Sequence, residues 1–311
     1  MKPHKKPEKR YRNYTWGVLG FNIAVILWGA LVRATGSGAG CGGNWPLCKG
    51  EVFLPTSQVE TIIEYTHRAT SGIAFVMVAI LLVWTFRRFP RTSALRKGAA
   101  WSMVFMITEA ILGAGLVLFG WVVDNTSLAR VIVQVVHLIN THFLLGALTY
   151  TAWAASGKEL ARWKLDRSSL PLLAGMAGIL IMSGAGAVTA LGDTIFPAGS
   201  LAEGIQADFS PTAHFLVQLR VWHPILALVV GFYLLVLTRL NLLGAPRGST
   251  LHRLGWSVIV LYGLQVLGGI LNIYLLAPVW MQIIHLAVAD AIWITYLLFS
   301  NEILFQARQP A

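Results

Sequence analysis

Eight stretches of roughly 20 predominantly apolar residues, near 14–34, 63–86, 99–119, 131–155, 170–191, 216–238, 254–276 and 280–300, leave this chain little choice of fold. A helix of that length covers about 30 Å of hydrocarbon at about 1.5 Å per residue. Backbone N–H and C=O groups inside lipid must be satisfied within the segment. No run alternates polar and apolar residues with period 2, so each reads as a helix and not as a barrel strand. Composition agrees: 56% of the 311 residues are hydrophobic and 12% charged, more apolar surface than a soluble domain of this size could bury. The expected fold class is all-α integral membrane with eight transmembrane helices.

The basic residues set the orientation. Nineteen of the 24 Lys and Arg lie in the two tails or in the connections near 87–98, 157–169 and 239–253, which share one side if the spans alternate. This positive-inside bias places both termini in the cytoplasm. Glu51, Glu60, Asp124, Asp193, Glu203 and Asp208 gather in the opposite loops. A net charge of +11 distributed this way argues for a membrane and against a nucleic-acid partner. Lys2, Lys5, Lys6, Lys9, Arg10 and Arg12 precede the first run, but that run is too long for a signal h-region and no A-x-A-like site ends it. A retained first helix is expected.

The second half of the chain echoes the first. AILGAGLVL (110–118) aligns with QVLGGILNI (265–273), an offset of 155; His67 and His223 differ by 156, and His137 and His285 by 148. A duplicated four-helix unit accounts for this, the copies sharing one orientation because four is even. The expected organisation is an N-terminal half at 1–156, a cytoplasmic connection at 157–169 and a C-terminal half at 170–311, two tandem four-helix bundles. Two outer loops are long, 35–62 and 192–215. The first, rich in glycine (Gly36, Gly38, Gly40, Gly42, Gly43), suggests a compact lid.

Four histidines lie within spans at matching depth, each five to seven residues from the outer end of an even-numbered helix, roughly 7–10 Å below the interface. Ionisable groups in a membrane face the bundle interior or a cavity. Paired neutral imidazoles across a four-helix bundle suit the axial positions of a haem, His67 with His137 and His223 with His285. Zinc or copper would need further ligands, and the spans hold no Cys and few carboxylates. No C-x-x-C-H occurs, so any haem is held non-covalently. His142, five residues beyond His137, is turned about 140° away and reads as a packing or polar contact. His4, His214 and His252 fall in a tail or loops.

Glu64 lies one turn before His67 on the same face, and two readings stand: an ion pair with Arg68 at i+4, or a proton donor or acceptor beside the metal site. Glu109 and Asp290, also within spans, read as packing or helix–helix hydrogen-bonding groups. Arg33, Arg68 and Arg220 near outer helix ends either hold haem propionates or snorkel to the interface. Cys41 and Cys48, the only two cysteines, share the first outer loop on the oxidising side, where a disulfide is expected. It either staples the lid or exchanges electrons.

Taken together, GALVRATGSGAGCGGNWPLC (29–48), EYTHR (64–68), HLIN (137–140), WHP (222–224) and HLAVAD (285–290) resemble the haem A synthases of bacterial type, in the same order over all eight helices. The resemblance implies an oxidoreductase of the bacterial plasma membrane that converts a methyl group of haem O to a formyl group, by two O2-dependent hydroxylations and loss of water. The product, haem A, serves terminal oxidases. His67 and His137 would hold the substrate haem with Glu64 as a catalytic neighbour, and His223 and His285 a permanent haem b. Quinol or another electron donor and haem O synthase are the implied partners, since no dinucleotide fingerprint is present. Many bacterial members carry a second cysteine pair in the later outer loop; 192–215 has none. A dihaem cytochrome b passing electrons to or from quinol, and a haem carrier with rocking repeats, are the rival readings. Glu64, with Leu219 and Arg220 at the comparable turn before His223, argues for unequal halves and so for catalysis.

Overall fold

The computed structural model describes residues 8–51 and 57–308; His4, Lys2, Lys5 and Lys6 lie outside the described residues. Ten α-helices follow in order: α1 (Lys9–Ala34), α2 (Val59–Arg88), α3 (Ala94–Leu118), α4 (Leu128–Ala155), α5 (Leu170–Ile195), α6 (Leu201–Asp208), α7 (Phe215–Gln218), α8 (Trp222–Leu242), α9 (Thr250–Tyr274) and α10 (Val279–Ala307). A short 3-10 turn, Leu219–Val221, joins α7 to α8, so Phe215–Leu242 acts as one span. Among the described residues eight helices are long and apolar enough to cross a membrane, and the chain is a multi-pass membrane protein. Several run further than the apolar stretches foretell: α1 starts at Lys9 and α10 reaches Ala307. Hydropathy marks only the hydrocarbon slab, whereas the helix continues into the headgroup layer, where Lys and Arg are solvated.

Serine side chains start the helices that follow tight turns. Ser93 Oγ accepts from the backbone N–H of Leu95, Ser127 from Arg130 and Ser249 from His252, satisfying amides that have no partner in the first turn. α4 ends where Gly157, at φ +76°, turns the chain left-handed and donates its N–H to the Ala154 carbonyl.

Helices α1 to α4 close a ring of contacts, each against the next and α4 back on α1; α5, α8, α9 and α10 close a second. The rings meet through α1, α4, α5 and α10, which pack on one another. Burial follows: 44% of the span is buried in α4 and α10 but 17% in α3. The outer helices turn Ile73, Val76, Ile80, Leu228, Phe232, Val260 and Ile270 outward, an apolar surface that lipid would cover. Lipid tails are as apolar as Leu, so close packing and polar contacts must hold the rings together. A Cβ on Gly146 of α4 would lie 3.2 Å from the Leu297 side chain of α10. Across the same seam Trp293 donates to the His142 carbonyl at 2.6 Å, and Asn301 receives the Ala161 N–H at 2.9 Å.

Candidate functional site

Each of the four intramembrane histidines rests its ring on a glycine of a neighbouring helix. A Cβ on Gly29 of α1 would sit 2.9 Å from the His67 ring, and one on Gly186 of α5 would sit 3.0 Å from the His223 ring. Gly113 of α3 stands 3.4 Å from His137 in the same sense, while Gly268 and Gly269 of α9 stand 3.3 and 3.5 Å from His285. These glycines keep the histidine register: Gly29 and Gly186 are 157 residues apart, Gly113 and Gly269 are 156. The His223 and His285 rings face one another with centroids 6.3 Å apart, at 80°.

The ring nitrogens are available as ligands. Nδ1 of His67, His137 and His285 is buried with no hydrogen-bond partner among the described residues, while Nδ1 of His223 lies 3.2 Å from the Met182 carbonyl. Buried polar atoms are seldom left unpaired in a native fold. Among the described residues no three His, Cys, Asp or Glu side chains gather as a zinc or copper shell would need. Two imidazoles suffice where a porphyrin supplies the remaining four donors, so the residues present fit haem.

Two polar side chains reach the histidines: Glu109, which makes the helix–helix hydrogen bonds read for it in the sequence, and Gln265, which that reading missed. Glu109 of α3 reaches His137 Nε2 at 3.1 Å, and its carboxylate also accepts from Asn140 Nδ2 (2.5 Å) and Thr141 Oγ1 (2.6 Å). Gln265 of α9 brings its amide nitrogen to 3.0 Å from His285 Nε2. Glu109 and Gln265 are themselves 156 residues apart, one residue out of step with the offset of 155 in the aligned block, which sets Glu109 against Leu264.

The outer rim holds the lid. Cys41 and Cys48 form a disulfide and are buried. Glu64, 3% exposed, accepts the Cys41 N–H at 2.7 Å and pairs with Arg68 at 2.6 Å, so the i+4 ion pair exists. Arg68 in turn donates to the carbonyls of Leu47 (2.6 Å), Gly42 (3.3 Å) and Asn44. Gly40 carries no side chain because a Cβ there would lie 2.5 Å from the Glu60 carbonyl oxygen. In the second half Arg220, 156 residues after Glu64, pairs with Asp193 at 2.9 Å and Asp208 at 2.8 Å. Arg33 crosses between the rings, donating to Ala190 O and Thr194 Oγ1 at 2.7 Å and to Gln282 Oε1 at 2.8 Å. All three arginines thus hold protein acceptors.

His142 is fully buried, its ring nitrogens against Leu138 O (2.8 Å) and Ser183 Oγ (3.2 Å) and its edge on Trp293, the packing and polar role expected. His214 caps α7, and His252 sits beside Trp256 at the start of α9. Asp290, 1% exposed, has no partner among the described residues on either carboxyl oxygen.

Eight membrane-length helices and two glycine-cradled histidine pairs among the described residues define a helical membrane protein with paired imidazoles inside its bundle. More particularly, the chain belongs to the COX15-CtaA family of cytochrome oxidase assembly proteins, which it matches over residues 12–297. It is 49% identical over 296 residues to a protein of Thermus thermophilus named "Protoheme IX farnesyltransferase", a match covering 95% of this chain and 48% of that one. Over 98 residues it is 45% identical to the "Heme A synthase" of Halalkalibacterium halodurans, covering 32% of this chain and 33% of the relative. The "Heme A synthase" of Bacillus licheniformis is 46% identical over 98 residues, 32% of each chain. The chain therefore spans about half the length of the Thermus relative.

Proposed function

We propose that this chain is a haem A synthase, an oxidoreductase that converts a methyl group of haem O to a formyl group. The observation that carries this is the inequality of two otherwise matching histidine pairs: carboxylates stand beside the first and neither of their counterparts in the second half is acidic. His67 and His137 hold haem O, and His223 and His285 hold a resident haem b. Bound haem supplies a redox-active iron for electron transfer and O2 activation. Each hydroxylation consumes O2, two electrons and two protons and releases water; after two, the geminal diol loses water to leave the formyl group. Glu64, near the outer face, delivers or accepts protons, while the stapled lid limits water at the site. Electrons come from quinol or a partner protein, and both termini face the cytoplasm.

The two "Heme A synthase" relatives support the reaction, and the Thermus name points to the preceding one, since a farnesyltransferase acting on protohaem yields a farnesylated haem. That name covers a protein about twice the matched length. Farnesyl transfer from a diphosphate would need carboxylates gathered about Mg²⁺, and no such group occurs among the described residues.

Pigment extraction from membranes of a host that makes haem O but no haem A tests the reading. Haem A should appear on expression of the chain. Haem B alone, with haem O unconverted, would instead make it a dihaem cytochrome.

A further inference from the structure

At the end of the molecule that carries the basic connections, α2 and α3 leave a cleft of about 290 Å³ lined by Phe86, Arg91, Arg96, Lys97 and Ala100. Three cations therefore face one small space. Arg91 and Lys97 are exposed, while the Arg96 guanidinium lies 4.8 Å from the centre of the Phe86 ring and donates through Nη2 to the Phe86 carbonyl. Arg96 Nε is buried and has no partner among the described residues. Among those residues no carboxylate pairs with any of the three cations; Glu8 is taken by Arg88 and Asp166 by Arg308. Like charges gathered this closely repel unless an anion joins them.

By themselves such charges are explained by membrane orientation. The repeat separates that role from a site. Counted 156 residues on, Arg247, His252 and Arg253 stand where Arg91, Arg96 and Lys97 do, but Trp256 stands where Ala100 does, its ring beside His252. Basic residues recur in both halves, whereas the small residue that leaves room between them belongs to the first. The cleft also continues into an apolar face: Val83, one turn deeper than Phe86 on α2, and Val104, one turn deeper than Ala100 on α3, are both exposed. A free phosphate would use only the cations; a phospholipid uses both.

We propose that this cleft binds an anionic phospholipid, its phosphodiester held by Arg91, Arg96 and Lys97 and an acyl chain lying along Val83 and Val104. Basic pockets between transmembrane helices suit such headgroups, and guanidinium groups match the geometry of phosphate oxygens. The lipid covers part of α3, whose span is 17% buried by protein, the lowest share among the described spans.

Native mass spectrometry of the delipidated full-length protein, titrated in detergent with phosphatidylglycerol or phosphatidylcholine, tests this. Phosphatidylglycerol should form one adduct at concentrations where phosphatidylcholine forms none. A Lys or Arg near an anionic lipid is worth about a 5-fold change in affinity, so Arg91→Gln and Lys97→Gln should each weaken that adduct about 5-fold. Ala100→Trp keeps every charge but fills the cleft, and should weaken it as well. Arg91 and Lys97 are exposed, so their variants decide even if Ala100→Trp fails to fold. The control, Arg162→Gln with Lys164→Gln, removes two exposed cations from the 157–169 connection and should leave the affinity unchanged. An equal loss in the control, or equal affinity for phosphatidylcholine, would reduce the cleft to diffuse surface charge and overturn the proposal. If inorganic phosphate binds as tightly as the lipid, the apolar face contributes nothing and the site belongs to the free anion, which overturns it too.

Discussion

Of the two readings of Glu64, the ion pair is present in the structure, and the proton-transfer role proposed above would be exercised from within that pair. The carboxylate is paired with Arg68, and through Arg68 and the Cys41 amide it fastens the lid. Glu64 is buried and Arg68 partly so, and the carboxylate is held at one spot a turn from His67. Glu64→Gln keeps the size and the Cys41 contact but removes the proton-transfer group. Haem O or a hydroxylated intermediate should then replace haem A in extracted pigments, with a rate loss of about 10²- to 10⁴-fold. A wild-type yield of haem A would leave Glu64 as a lid clamp only. Asp290 presents the opposite situation, a carboxyl buried in α10 with no partner among the described residues on either oxygen. An unsatisfied buried polar group costs about 1–3 kcal/mol. Asp290→Ala should therefore raise the thermal midpoint in detergent despite the small cavity it leaves; a lowered midpoint would show that the carboxyl has a partner.

At the scale of elements, the first outer loop is a lid because three separate ties converge on it: the disulfide, the Glu64–Arg68 pair and the Thr61 hydroxyl on the Gly40 carbonyl at 2.8 Å. Chain entropy alone gives a disulfide closing so short a loop about 2–3 kcal/mol. Cys41→Ser should make the Gly-rich stretch the first site of limited proteolysis, while far-ultraviolet circular dichroism stays at its wild-type value. The helices carrying the histidines should prove unequal as well. His223→Ala or His285→Ala should strip the resident haem b, whereas His67→Ala or His137→Ala should spare it and abolish haem A formation; loss of one spectral species from all four variants would mean a single shared site.

On the scale of the whole molecule, two closed helical rings share a seam of α1, α4, α5 and α10, and Arg33 spans it to reach Gln282, one turn before His285. The basic connections 87–98, 157–169 and 239–253 emerge at one end and the disulfide lid at the other. Single-cysteine variants placed at Ser168 and Ser210, in a background with both native cysteines replaced by serine, should report this orientation. In intact cells an impermeant maleimide should label the cysteine at 210 and spare the one at 168, and the reverse pattern would invert the membrane topology.

The number of spans among the described residues, their helical state and the register of the four histidines were all legible in the sequence. Each depends on apolar length or on spacing along the chain, which are one-dimensional properties. The helix ends were less so, because hydropathy stops at the hydrocarbon boundary and the α1 and α10 backbones do not. Glu109 is the clearest case of what remained hidden. Its sequence position allowed a helix–helix hydrogen bond, but which side chain it meets depends on the rotation of α3 against α4, set by packing on Gly113 and its neighbours. The three arginines read alike in sequence as propionate holders or snorkelling cations, yet each is committed to carbonyls, carboxylates or amides from other elements. Sequence decided which groups enter the membrane; only the tertiary structure decided which donor faces which acceptor there, because in a medium without water every such group must find its partner on another helix or loop.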